Sequence, residues 1–177
     1  RRYNSGLTAI IEANKETLLN PDYIKIGQPI AIPLQELQQA LEKEKLVFFT
    51  KPEITYDEAS QTILVEGRRS VVTLSQIDTV LGRKTVLEKL GDKEWLLRAN
   101  LLIKKGVTLV IDDADTNWLK LKSDKNGFVW LQSNDGNIFI KNTKITSWDL
   151  DSKAPDLNYG DGRSYVSTRQ NGRLDIL

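Results

Sequence analysis

Three carboxylates in four residues, Asp112-Asp113-Ala114-Asp115, make the densest acidic cluster of the chain. Hard oxygen ligands at that spacing could hold Ca²⁺ through Asp112, Asp113 and Asp115. The spaced glycine and distant glutamate of an EF-hand loop are lacking. The cluster falls between two strand-like runs, where aspartate is also favoured for turn formation.

A second polar stretch carries Asp149, Asp151, Asp156 and Asp161 with Arg163, Arg169 and Arg173. Paired carboxylates are the tools of glycoside hydrolysis. Carboxylates on an exposed loop are equally a matter of solubility, and Asp161-Gly162 is a turn dipeptide.

Aromatic residues offer a different chemistry, because flat apolar rings pack on pyranose faces while their polar edges stay hydrated. Trp95, Trp118, Trp130 and Trp148, with Phe128, Tyr159 and Tyr165, are the candidates. Most lie inside strand patterns and suit a core. Trp118 and Trp148, at run edges beside Asp and Asn, are expected to be exposed and are assigned as glycan-binding residues.

Histidine and cysteine are both absent. That removes the commonest general base, thiolate nucleophiles, every Ser-His or Cys-His arrangement and Cys-ligated zinc. No catalytic residue is therefore assigned. With 25 Lys+Arg against 24 Asp+Glu, the formal charge of +1 gives no reason to expect nucleic acid as a partner. No run approaches the roughly 18 apolar residues of a membrane span. Methionine is missing even at position 1, which suggests a processed product or a fragment truncated at both ends.

The elements that must carry these groups are legible from spacing. Leu7, Ile10 and Ile11 have helical spacing, with Asn14 as terminator. A bent strand follows around Gly27-Gln28-Pro29 and ends at Pro33. Leu34, Leu37 and Leu41 predict an amphipathic connector to about Lys45. Strands are predicted at 54–56, 62–66 and 70–74, then a helix opened by Ser75 and Asp78 and closed by Gly82, then a helical turn over 85–90.

After Trp95 six short runs follow: 101–103, 107–111, 119–121, 128–131, 138–140 and 144–147. Setting the first three on the second three pairs Ile103 with Trp130, Val110 with Phe139 and Leu119 with Ile145, separated by 27, 29 and 26 residues. Strands repeating in sets of three are what a three-sided parallel solenoid needs, since each coil buries its inward residues only by stacking on the next. An antiparallel sandwich predicts much the same pattern.

Two stretches carry family resemblances. Residues Leu7 to Asn14, Asn20-Pro21-Asp22-Tyr23-Ile24 and Gly27-Gln28-Pro29-Ile30-Ala31-Ile32-Pro33 resemble the second half of a LysM module, a small unit that binds N-acetylglucosamine polymers. The resemblance implies that Asn20, Pro21, Asp22, Tyr23, Ile24 and Lys25 fall on the loop lining the glycan groove. The family's opening strand has no counterpart here.

The stretch 95–176, through Trp95-Leu96-Leu97-Arg98-Ala99-Asn100-Leu101-Leu102-Ile103, Gly106-Val107-Thr108-Leu109 and Ser147-Trp148-Asp149, resembles the N-terminal coils of secreted bacterial right-handed β-helix proteins. That group includes polysaccharide lyases and mannuronan C5-epimerases. Epimerases of the group use an acidic, histidine-containing motif on a later coil, which this chain cannot supply. Architecture and a polysaccharide context carry over; a reaction does not.

The expectation is a mainly β protein, a partial right-handed parallel β-helix preceded by a small α+β LysM-like segment and a helical connector. Its divisions are 1–33, 34–51 and 52–177. It belongs outside the cell or in the envelope and meets cell-wall glycan or acidic polysaccharide. If it serves an enzyme, a lyase, hydrolase or epimerase, the catalytic residues lie outside this chain. The other reading is a structural solenoid subunit of a surface filament, layer or appendage, with sister subunits as partners.

Overall fold

The computed structural model describes residues 10–16, 30 and 50–177. The chain divides into two compact units, 1–49 and 50–177. In the first, residues 10–13 are helical. The helix yields to a turn at Asn14, whose side chain donates to the Ile10 carbonyl at 2.6 Å. The groove-loop residues 20–25 and the 34–51 connector, apart from Thr50 and Lys51, lie outside the described residues.

In residues 50–177 the strands follow from strict alternation of apolar and polar side chains. β7, Val107–Asp112, buries Val107, Leu109 and Ile111 completely and turns Thr108, Val110 and Asp112 outward. A single strand with one apolar face cannot bury it alone, so equivalent strands stack. β3 (Ser70–Val72), β7, β11 (Asn137–Lys141) and β15 (Arg173–Ile176) form one parallel sheet in that spatial order. β2 (Thr62–Glu66), β6 (Asn100–Ile103), β10 (Trp130–Asn134) and β14 (Tyr165–Arg169) form a second. β5 (Glu94–Leu97), β8 (Trp118–Asp124) and β12 (Lys144–Asp149) form a third.

The chain visits the sheets in rotation, which is a parallel β-helix. The sandwich alternative falls, because every pairing between coils is parallel. Inward side chains align in columns: Ile63, Leu101, Leu131 and Val166; Val72, Leu109, Ile138 and Leu174; Trp95, Leu119 and Ile145. Each fully buried Leu or Ile in such a column stabilises the fold by about 1.5–3 kcal/mol.

The sequence registers Val110 on Phe139 and Leu119 on Ile145 hold. Ile103, however, stands opposite Ser133 rather than Trp130. The predicted run 128–131 is two strands: β8 overruns to Asp124, and β9, Gly127–Phe128, folds back on it before β10 begins. This hairpin consumes residues and shifts the register by three.

Antiparallel and helical pieces cover the first coil, a cap that a solenoid end requires. β1, Glu53–Asp57, pairs antiparallel with β2. The helix α1, Leu74–Leu81, buries Leu74 and Ile77. Thr73, not Ser75, is its N-cap, in a reciprocal box with Gln76, and Gly82 ends it at φ 58°. Ser75 is spent on Asp115 instead. The predicted helical turn over 85–90 is a strand, β4 (Leu87–Gly91), because pairing antiparallel with β5 satisfies its backbone and sends Leu87 into the core.

The corners are left-handed turns. Arg69, Gly106, Asp135 and Gln170 stand at φ 52°, 82°, 58° and 55° between the second sheet and the first. At Gly106 a Cβ would lie 2.7 Å from the Gly67 carbonyl oxygen, so no larger residue fits the close approach of adjacent coils.

Candidate functional site

Alternation in the third sheet sends Trp95, Leu97, Leu119, Leu121 and Ile145 inward and leaves the even partners on the outer face. Parallel register then sets Glu94, Trp118 and Lys144 in one row. Leu96, Lys120 and Thr146 form the next, with Lys122 and Trp148 beyond. Two indoles and three ammonium groups are thus gathered on one flat patch by backbone pairing alone.

The side chains meet. The Trp118 and Trp148 rings stand 5.3 Å apart at 88°, an edge-to-face contact. The Lys120 ammonium lies 3.7 Å from the Trp148 ring centre and 4.1 Å from that of Trp118. The Lys144 ammonium lies 4.0 Å from the Trp118 ring centre. Such cation–π contacts contribute about 0.5–2 kcal/mol each, more as they lose water.

The Trp118 indole N–H donates to the Thr146 hydroxyl at 2.9 Å, which fixes the ring's orientation. Lys120, with a side chain only 7% exposed, is also paired with Glu94. Lys144 is exposed, and its contact on this face is the Trp118 ring.

The patch runs on toward a polar crevice of about 90 Å³ lined by Arg98, Asn100, Lys122, Asn126 and Phe128. Its cations are engaged: Arg98 meets Glu88 at 2.7 Å, and Lys122 stands 3.9 Å from Asp124. At the near end, the backbone N–H groups of Asp151 and Ser152 hold the Asp149 carboxyl below its ordinary range. Lys125, paired with Asp151 at 3.0 Å, is held above the ordinary lysine value by that bond and charge.

The remaining acidic candidates have partners within the fold. Asp112 accepts from the Ala114 N–H at 3.2 Å, Asp115 binds Ser75 and Thr116, and Asp113 faces Asn142 at 3.4 Å. Among the described residues, no group of three or more His, Cys, Asp or Glu side chains converges as a metal site. The aspartate loop behaves likewise. Asp149 caps a turn, Asp161 accepts from Asn158 at 2.8 Å, and buried Asp156 accepts from Ser123 at 2.6 Å and from the Asn158 N–H at 2.9 Å. A cleft of about 400 Å³ between Leu121, Ile145, Arg163 and Tyr165 includes Asp156, but with its carboxylate already committed.

The structure brings Trp118 and Trp148 together as neighbours on one face. They are half-buried rather than free, with ammonium groups over their rings. Sequence reasoning missed Glu94, Lys120, Lys122 and Lys144. The signal was present: the 26-residue offset of Leu119 on Ile145, read one residue earlier, sets Trp118 beside Lys144, and read three later sets Lys122 beside Trp148. The patch can stack sugar rings against indole and offer ammonium groups to carboxylates.

No family model matches the chain. It is 30% identical over 95 residues to the mannuronan C5-epimerase of Pseudomonas aeruginosa, a match covering 54% of this chain and 16% of that protein. Among solved structures, the periplasmic alginate epimerase AlgG is similar with a TM-score of 0.61 at 16% identity, over 86% of this chain and 41% of that one. A single-substitution mutant of AlgG is similar over 65% of this chain and 26% of its own, with a TM-score of 0.57 at 19% identity. The likeness is one of fold, the parallel β-helix, and the chain spans less than half of each protein it matches.

Proposed function

We propose that this chain is the glycan-holding part of a cell-envelope protein that acts on or carries an acidic polysaccharide, with the β-helix as scaffold. The observation that carries the reading is the outer face of the third sheet, where Trp118 and Trp148 meet Lys120 and Lys144. Aromatic rings and cations in one patch suit a polymer of carboxylate-bearing sugars. The partial match to a mannuronan C5-epimerase and the fold shared with a periplasmic alginate epimerase support both the polymer class and the envelope location.

In this reading the coils of 52–177 wind right-handed, and catalytic groups come from outside residues 1–177. Residues 1–33 are a LysM-like segment whose loop 20–25 adds a second glycan contact, and 34–51 connect the two. The test is affinity electrophoresis of the chain in gels containing polymannuronate, with the carboxyl-reduced polymer as control. Retardation by the acidic polymer, lost in the Trp118→Ala/Trp148→Ala double variant, is the expected result. Equal mobility in both gels overturns the reading.

A further inference from the structure

We infer that Glu94 is an internal counter-ion that occupies the Lys120 ammonium until a ligand carboxylate replaces it, making Glu94 the residue that sets the affinity of this face. The inference rests on the glycan-holding reading above.

Lys120 is almost fully buried on the outward side of its sheet, beneath two indole rings, and its remaining partner is the Glu94 carboxylate. A buried ammonium needs a counter-charge. Glu94 supplies it from the adjacent strand, while its own side chain is 32% exposed. The carboxylate is therefore the part of the ion pair that solvent and ligand reach first. It stands opposite Trp118, the ring over which the exposed Lys144 ammonium also lies.

A carboxylate presented by a sugar beside Trp118 and Trp148 meets Lys144 first, an exposed cation held, among the described residues, only by its contact with the Trp118 ring. To reach Lys120 it must take the place of Glu94. The exchange swaps one carboxylate for another, so the buried ammonium is never left unpaired. Neutral sugars cannot make this exchange. Their contact with the rings is limited to stacking, and Glu94 stays where it is. Unbound, Glu94 keeps the patch closed to weak anions. Bound, it is released toward water, where a carboxylate is well solvated.

The experiment measures dissociation constants of the chain for mannuronate oligomers and for carboxyl-reduced oligomers, with the melting transition of each variant recorded. Glu94→Gln is expected to tighten acidic-oligomer binding by about fivefold, the scale of a partly exposed ion pair. Binding of the reduced oligomer should not change. Lys144→Gln, at an exposed position, is expected to weaken acidic binding by about fivefold. Independently of any substitution, the side-chain carboxylate carbon signal of Glu94 should shift when the wild type is saturated with acidic oligomer.

Unchanged or weakened binding in folded Glu94→Gln overturns the inference, as does a Glu94 signal that stays in place. Acidic binding that is lost in Trp148→Ala yet indifferent to Glu94→Gln overturns only the counter-ion role. Acidic binding that survives Trp148→Ala unchanged overturns the platform and the inference together.

Discussion

The two faces of the third sheet use the same strands for opposite purposes. Trp95 points inward, 1% exposed, and its indole N–H is spent on the Asp115 carbonyl at 3.3 Å. Trp118 and Trp148 point outward, with ammonium groups over their rings. Inside, Leu119 stacks on Trp95 and Leu121 on Leu97, in columns whose worth scales with area removed from water. Outside, the contacts are directional, and Trp118, Trp148 and Lys144 stay partly or fully exposed. One face holds the solenoid together, and the other is the one proposed above for recognition.

The comparison is broken most forcefully from inside. Leu109→Ala removes a completely buried side chain from the first sheet. It is expected to cost about 3 kcal/mol in denaturant unfolding. The fraction that remains folded should bind acidic polymer normally; reduced affinity per folded molecule would show that the faces are not separable.

Trp148→Ala probes the outside. It is expected to weaken polymannuronate binding by about tenfold, roughly 1.4 kcal/mol, while shifting stability far less than Leu109→Ala. A stability loss as large as that of Leu109→Ala would make Trp148 a core residue in effect.

A third change sharpens the account of the interior. Ser133 lies in the inward column of Val65, Ile103 and Thr168, fully buried, with no hydrogen-bond partner for its hydroxyl among the described residues. Ser133→Ala is expected to stabilise the chain by about 1 kcal/mol, since it removes a buried polar atom that has lost its water. Destabilisation on thermal or denaturant unfolding would contradict that.

The smallest effect is acid dependence. The Asp149 carboxyl lies below its ordinary value of 3.8 because the Asp151 and Ser152 N–H groups bind its charged form. A depressed value in the folded chain contributes stability that is complete above 3.8 and is lost as pH falls through the lower folded value. Asp149→Asn should flatten the stability profile only in that acidic window. A difference at neutral pH of another form would point to a role beyond the turn.

Much of this fold was legible because a β-helix writes its columns into the sequence. Val107, Leu109 and Ile111 alternate cleanly, and their partners recur near a fixed offset. What failed to read had a local cause. The β9 fold-back inserts a hairpin within an apolar run, and β4 carries a helix-like spacing that antiparallel pairing overrides. In the candidate site, Trp118 and Trp148 were visible as aromatic residues at run edges. Their lysine partners were not, because Lys120 and Lys144 are 24 residues apart and become neighbours only through register.

The most direct measurement of the central claim is a two-dimensional NMR titration of the four tryptophan indole N–H signals with mannuronate oligomers. The account predicts saturable shifts for Trp118 and Trp148 and a stationary signal for buried Trp95. Shifts confined to Trp95 or Trp130, or none at saturating oligomer, would contradict it.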